Sequence, residues 1–515
     1  MNKIDVREIV HPSIDDRKAV GLEARERAAL ASHAKWRPAA DRPDPVALLK
    51  GQDTIREPDL VPVRHGRMMA SPFSFYRGAA GIMAADLKST PAAGLEAQLC
   101  GDAHLSNFGL FASPERILMF DVNDFDETLP GPFEYDVERM ATSFTIVGRN
   151  NGFSRADARA ATLASVRAYR EAMASFAQMG TMGIWYAHMD EDELMASIQA
   201  AAAGTVKLEE AAKKQEKADK QDKLPKKQRK RADKREKADK EKEKADRRAE
   251  KTAEKTARKA YTRDSLQALS KLGERVDGQY RIVSQPPLIV PGRDLAATFG
   301  LSPDEVMPAL HEQFRAYRAT LQDDRRKLLE RFQIVDMARK VVGVGSVGTR
   351  AYIVLLQGRD AQDPLFLQVK QATASVLEAG RRKSGYQQHG ERVVQGQRMM
   401  QAASDIFLGW TKGLGPDERR HFYWRQLRDM KGSVDVDTLR PVGLTLYARL
   451  CGWTLARAHA RSGDPVAIAE YLGDSDAFDN SITDFSERYA DQNEKDYTEF
   501  VNAIHAGRLA AVEGV

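Results

Sequence analysis

From Leu99 to Glu127 the chain reads LCGDAHLSNFG, a short bridge, then ILMFDVNDFDE. Asp102, His104 and Asn107 form one polar cluster, and Asp121, Asn123, Asp124 and Asp126 form another. Between them lies the apolar run Ile117–Phe120, short enough to predict a buried strand over Arg116–Phe120. Any fold for this chain must bury that strand and still leave two acidic clusters at its ends. The strand is expected to bring the second cluster back beside the first.

This pattern suits a divalent metal held together with a polyphosphate. Mg²⁺ takes one or two carboxylates and an amide or carbonyl oxygen, and leaves its other positions to phosphates and water. A hydroxyl attacking phosphorus also needs a positioned base that is not spent on the metal. Asp102 is expected to orient or deprotonate an acceptor. Asn107 and Asp124 are expected to hold the metal, with Asp126 in the same acidic set. A plain acidic turn, with Asp and Asn capping nearby backbone, accounts for one such cluster. Two clusters joined by an apolar strand favour a site.

Gly101-Asp102-Ala103-His104-Leu105-Ser106-Asn107 resembles the G-D-x-H-x-x-N catalytic loop of aminoglycoside phosphotransferases and related small-molecule kinases. In that family the Asp is the catalytic base and the Asn binds metal. Asn123-Asp124-Phe125-Asp126, followed by Pro132-Phe133-Glu134-Tyr135-Asp136, is similar to the family's I-D-F-x-D…D-P-x-Y-D-L-A. The interval to Asp136 favours Asp124 over Asp121 or Asp126 as the metal ligand. His104 also matches the phosphotransferases, whereas Cys100 stands where they usually have His. The whole chain further resembles the bacterial DUF2252 family in CGDAHLSNFG, SPFSFYRG, VGVGSVGTR and LARAHARSGD. That likeness runs nearly the full length and implies no particular reaction.

A second constellation lies some 220 residues further on. Gly343, Gly345, Ser346 and Gly348 fall in Val341–Arg350, ahead of strand-like runs at Ala351–Gln357 and Pro364–Lys370. Glycines between strands let backbone N–H groups close over phosphates without side-chain clash. A dinucleotide-binding turn would continue into a helix. Here a strand follows, which favours a kinase-like flap. Lys370 sits in the second of these strands and resembles the kinase phosphate-binding lysine. Glu378 is its expected partner and Glu391 the rival. Phe422–Leu427 is expected to be the strand leading to an adenine-binding hinge. His459 is expected to be a core or cap histidine.

With 515 residues, 42% of them hydrophobic and 30% charged, the chain can build two or three domains with a real core. Mean hydropathy of -0.51 is that of a soluble protein. A net charge of +5 makes no strong nucleic-acid field. Cys100 and Cys451 do not make a disulfide framework and suit a reducing cytosol. The first residues lack an apolar signal core, and no run nears the ~18 apolar residues of a membrane span. A cytoplasmic protein is expected.

The expected organisation is an arm over 1–60, a helical part with the catalytic-type loop over 61–204, and a charged helical insertion over 205–262. Connecting helices over 263–334, a nucleotide-binding part over 335–435 and closing helices over 436–515 follow. The insertion repeats Glu-Lys-Ala-Asp and reads as a solvated spacer broken by Pro225. Helices are expected over Phe133–Asn150, from the cap Ser154 to Met179, over Pro303–Phe332 and over Tyr447–Ala460. The aromatic segment ahead of Arg77 is expected to be core; Arg77, just before a tight turn, could reach a phosphate, which is the less favoured reading of it.

The phosphotransferase resemblance implies an α+β, two-lobed protein-kinase-like fold. Because the catalytic-type loop precedes the glycine loop, that fold must be circularly permuted, and its two constellations must converge in space. The implied activity is phosphoryl or nucleotidyl transfer from ATP, with Mg²⁺, to a small-molecule acceptor, without membrane or nucleic-acid partners. Two other readings stay open: a metal-dependent phosphoesterase seeded by Asp102-x-His104, and a non-catalytic nucleotide-binding protein.

Overall fold

Two short antiparallel strand pairs, one a hairpin enclosed in sequence by the other, carry the acidic clusters. Strand β1 (Glu96–Leu99) leads into the first cluster, β2 (Phe108–Ala112) leaves it, β3 (Leu118–Val122) enters the second and β4 (Leu129–Pro132) leaves that. β2 pairs antiparallel with β3, Phe108 opposite Val122, and β1 pairs antiparallel with β4, Leu99 opposite Leu129. The expected strand over Arg116–Phe120 is therefore shifted. Arg116 has φ 69° in the turn and Ile117 is 49% exposed, so pairing begins at Leu118 and runs on through Val122. The computed structural model describes residues 11–196, 251, 255–276, 279–413, 419–427 and 430–514. The charged segment 207–259 lies outside these apart from 251 and 255–259.

The helix Phe133–Asn150 follows β4 directly and is the axis of a helical body. Its apolar face, Val137, Met140, Phe144 and Val147, is buried as the 3.6-residue period predicts. Its polar face is buried too, and each acid or base on it bonds to a different neighbour. The next helix, Arg155–Phe176, starts at Ser154, whose hydroxyl accepts from the Asp157 amide at 3.1 Å. Pro441–Ala460 lies along it, with Gly452 against the backbone of Ser165 and Tyr169. Both helices are alanine-rich there, so the backbones come close. Ala477–His505 closes this body, whose core includes Trp36, Tyr76, Phe133, Tyr169, Leu455 and Phe485.

A second body is built on an antiparallel sheet. After the hairpin β5 (Gly273–Val276) and β6 (Gln279–Ile282) come β7 (Ile289–Pro291), β8 (Gln333–Lys340), β9 (Ala351–Gln357), β10 (Pro364–Ala372), β11 (Gly409–Lys412) and β12 (His421–Gln426). The six-stranded order is β11-β12-β10-β9-β8-β7. β9 matches its predicted span, and β10 starts where predicted and runs two residues further, to Ala372.

Pro303–Phe332 is two helices, Pro303–Arg318 and Asp323–Leu329. The break falls where Thr320 turns back to bond the Tyr317 carbonyl at 2.7 Å and accepts from the Trp410 amide at 3.1 Å. The first of these helices lays Val306, Leu310, Phe314 and Tyr317 on the sheet, and Tyr317 stacks on Trp424 at 4.6 Å. The expected connecting segment 263–334 thus supplies β7, the start of β8 and three helices, Ser265–Leu272 among them, to the sheet body.

Several contacts join the two bodies. Leu110 in β2 exchanges backbone hydrogen bonds with Gly432, at 2.7 and 2.9 Å, just beyond β12. Helix His389–Met400 packs Val393, Val394 and Met400 into the helical core. The fold is mixed α+β. Among the described residues no helix is long and apolar enough to cross a membrane.

Candidate functional site

The first cluster is shaped by a buried carboxylate behind it. Gly101 has φ 82°, a conformation that favours glycine. Asp136, in the first turn of Phe133–Asn150, accepts from the amides of Cys100 at 2.7 Å and Gly101 at 3.0 Å. His459 approaches Asp136 at 3.3 Å and bonds the Tyr169 hydroxyl at 2.9 Å, so it is a core histidine, as expected. Further along, the Leu105 amide donates to Ser143 Oγ at 3.0 Å. The loop is thereby fixed on the helix that follows it by two sequences of contact.

Asp102 lies at the turn of this loop, with its carboxylate 19% exposed. Arg139, one turn along the helix from Asp136, donates from Nε to Asp102 Oδ1 at 2.8 Å. The Arg139 guanidinium also sits over the Tyr76 ring at 3.7 Å and bonds the Tyr76 carbonyl at 2.7 Å. Burial pushes the Asp102 carboxyl up, and Arg139 and Arg77 pull it down less strongly. His104 Nε2 is 3.7 Å from Asp102 Oδ2. Burial, with Arg77 and Arg139 nearby, pushes the His104 ring well below the ordinary range, so it is neutral at pH 7. Its Nδ1 is buried without a hydrogen bond.

Asn107 donates from Nδ2 to the Asp102 carbonyl at 2.7 Å, leaving its Oδ1 as the outward polar atom. Its own carbonyl accepts from the Asn123 amide at 2.8 Å, which brings the second cluster to the first. Within that second cluster the aspartates divide. Asp121 is buried, ion-paired to Arg457, and accepts from the Ala402 amide at 2.9 Å; it is structural. Asp124 is 35% exposed and its nearest cation is Lys370 at 3.9 Å. Burial and the neighbouring Asp126 charge push its carboxyl up.

Asp126 departs from expectation. It was expected with the metal ligands, but Lys370 Nζ lies 2.6 Å from its Oδ2 and the Tyr423 hydroxyl 2.5 Å from its Oδ1. Burial alone would raise its carboxyl; Lys370 and Tyr423 outweigh that and hold it below the usual range. Asp126 is thus the counter-ion of Lys370. Neither Glu378 nor Glu391 has that role: the ion pairs of Lys370 are to Asp124 and Asp126. The reason is direction. Lys370 sits opposite Tyr423 in the β10–β12 register, and its side chain crosses to the helical body. Lys370 is 2% exposed, and the two aspartates outweigh the effect of burial and raise its pKa.

The glycine loop between β8 and β9 is held from the helical side. Arg67 donates to the Gly343 carbonyl at 2.6 Å, Arg56 to the Val347 carbonyl, and the Glu57 amide to the Gly348 carbonyl at 2.7 Å. Gly343 and Gly348 have φ 63° and 85°.

Both constellations face one cavity of about 180 Å³. Asp102, His104, Asn107, Asp124 and Asp126 line one side. Gly343, Gly345 and Ser346 line the other. Gly348 packs instead against the Arg56 side chain, and Lys370 stands behind the aspartates. No residue of β12 lines the cavity; the expected hinge strand enters only through Tyr423 on Asp126 and through Arg425, which bonds the Asn123 carbonyl at 3.2 Å.

Several participants were not singled out from the sequence. Arg139 and Tyr423 carry no local signal, because their partners lie 37 and 297 residues away. Glu127 lines the cavity, accepts from the Val376 amide at 2.7 Å, and is pushed up to about 7 by burial. Arg392 ties helix His389–Met400 to the acidic segment through the carbonyls of Asp126 at 2.8 Å and Thr128 at 2.5 Å.

No curated protein and no solved structure matches the chain. A family model described as "Uncharacterized protein conserved in bacteria (DUF2252)" matches residues 56–247 and 227–503. Those segments carry both constellations and span most of the chain, and the protein therefore belongs to the DUF2252 family.

Proposed function

We propose that this protein is an ATP- and Mg²⁺-dependent phosphotransferase acting on a hydroxyl-bearing small molecule. One observation carries the reading: Asp102, Asn107 and Asp124 share a cavity with Gly343 and Gly345 of the glycine loop, although 219 residues separate Asp124 from Gly343 and 243 separate Asp102 from Gly345. On this reading the fold is two-lobed and protein-kinase-like, circularly permuted, with the sheet body as nucleotide lobe. The order β8, glycine loop, β9, β10 with its lysine, helix, β11, β12 supports it, as does the loop–hairpin–acid unit from Gly101 to Asp126.

The donor set fits a hard cation. Asn107 Oδ1 and the Asp124 carboxylate would hold Mg²⁺, an oxygen pair that leaves other positions for phosphate and water. Bound there, the ion supplies charge neutralisation to the transferring phosphoryl group. The remaining work belongs to the chain. Asp102 takes the acceptor proton, and its raised pKa makes it a better base than an exposed aspartate. Arg139 fixes the Asp102 carboxylate so that one oxygen faces the acceptor. Lys370 and the loop amides offer positive charge to the phosphates. Losing Asp102 should cost about 10²–10⁴ in rate.

Calorimetry of ATP binding with and without Mg²⁺ tests this, on the wild type, Lys370→Ala and Asp124→Asn. Mg²⁺-dependent binding by the wild type, lost in both variants, is the expected result. No ATP binding by the wild type overturns it.

One observation favours the non-catalytic reading. Arg139 occupies Asp102 Oδ1, which leaves one carboxylate oxygen for an acceptor, and its charge offsets part of the rise that burial gives the carboxyl. That reading expects ATP binding with no turnover over any acceptor panel. The phosphoesterase reading has less support, because His104 is the one histidine lining the cavity among the described residues.

A further inference from the structure

The cavity has a wall that the reading above does not use. It is formed by Arg56, which follows helix Pro45–Asp53, and Arg77, in helix Pro72–Gly78. Both side chains are half-buried, and the Nε atom of each is buried without a hydrogen bond. Among the described residues neither has a carboxylate within ion-pair distance. Of the acids beside Arg56 in sequence, Asp53 is taken by Arg64 and His65, each at 2.9 Å, and Glu57 by Arg339 at 3.4 Å. Burial, with Arg64 nearby, pulls Arg56 down to about 9. Two guanidinium groups left facing a cleft are costly unless an anion completes them.

Their position says which anion. The Arg77 carbonyl lies against Gly345, and the Arg56 side chain against Gly348. Both arginines therefore lie beside the glycine loop, where loop amides and guanidinium forks address the same ligand. A single carboxylate needs one fork; a phosphate presents enough oxygens for two forks and the amides together. The opposite wall is acidic, with Asp102, Asp124, Asp126 and Glu127, so an anion lodged there needs a cation on that side and arginines on this one. About 180 Å³, with no residue of β12 in the lining, matches a phosphate chain better than a whole nucleotide.

We infer that Arg56 and Arg77 form an anion subsite for the distal phosphate of a linear phosphate chain, and that the chain rather than the base is what this cleft recognises. The inference deepens the proposed function and rests on its placement of the donor phosphates beside the glycine loop.

Inorganic tripolyphosphate with Mg²⁺ is the probe, titrated calorimetrically into the full-length protein, with ATP, GTP and AMP alongside. The expected result is tripolyphosphate binding within a few-fold of ATP and GTP, with AMP far weaker. Arg77→Gln and Arg56→Gln should each weaken tripolyphosphate about 10-fold or more. Among the described residues Arg77 makes no side-chain hydrogen bond and only a long contact over the Phe73 ring at 5.9 Å, so Arg77→Gln should keep its melting temperature and carries the test if Arg56→Gln, which loses its bond to Val347, does not fold. Unchanged tripolyphosphate affinity in Arg77→Gln overturns the subsite. ATP binding without tripolyphosphate binding overturns it too, and leaves the phosphotransferase reading standing. Tripolyphosphate binding that both arginine variants lose, with no phosphoryl transfer, keeps the subsite and removes the phosphotransferase.

Discussion

Replacing Lys370 with Met should destabilise the protein by about 2–3 kcal/mol at pH 7.5, and replacing Asp126 as well should recover part of that loss. Lys370 is 2% exposed and its Nζ is 2.6 Å from Asp126 Oδ2. Removing one partner of a buried pair costs about 3–5 kcal/mol, because the other charge is left uncompensated. The Asp126 side chain is 28% exposed, so water offsets part of this and brings the cost to about 2–3 kcal/mol. The double variant Lys370→Met/Asp126→Asn removes the stranded charge and should lie about 1–2 kcal/mol above the single one.

The pH dependence has a definite sign. In the wild type the Asp126 carboxyl is held below its usual range, so its contribution is present above the unfolded pKa and lost as pH falls through the folded one. Without Lys370 the folded carboxyl rises, and the deficit of Lys370→Met should shrink on acidification towards pH 4.5. Urea unfolding of the wild type and both variants at pH 7.5 and 4.5 measures all of this. A single variant within about 0.5 kcal/mol of wild type, or a double variant no more stable than the single, would refute the pairing argument.

Three further outcomes are expected. Glu134 is fully buried and pushed up to about 7 by burial, so its contribution is present below pH 4.5 and lost as pH rises through 7. Glu134→Gln should therefore gain on the wild type between pH 5 and 8, by up to about 3 kcal/mol, and parallel melting curves across that range would sink the idea. Gly101→Ala places a Cβ against the Glu127 carbonyl at φ 82° and should cost at least about 1–2 kcal/mol in thermal unfolding, whereas an unchanged melt would show the loop is not so constrained. Trp424→Ala should cost about 3–5 kcal/mol and loosen Pro303–Arg318 from the sheet, seen as faster amide exchange in that helix; unaltered exchange would count against their stacking as the tie.

Where the determinant was local, the sequence carried it. Helix Phe133–Asn150 was legible from its period, the start of Arg155–Phe176 from Ser154 and Asp157, and β9 and β10 from apolar runs bounded by glycine and proline. Both acidic clusters and the glycine loop were legible as motifs, because their chemistry depends on residues a few positions apart. The break after Arg318 was not, since it answers to Thr320 meeting Trp410 across 90 residues.

Tertiary structure decided the pairings. Which aspartate answers Lys370 depended on which way β10 turns its side chain, and that put Asp126, 244 residues away, ahead of Glu378 in the next turn of chain. The same holds for Arg139 on Asp102 and for the arginine wall opposite, where the Nε atoms of Arg56 and Arg77 are left without hydrogen bonds beside a loop far from them in sequence. Sequence spacing fixes what residues i and i+4 can share; a buried ion pair between distant residues is selected by desolvation and packing direction, and these arise only when the chain closes on itself.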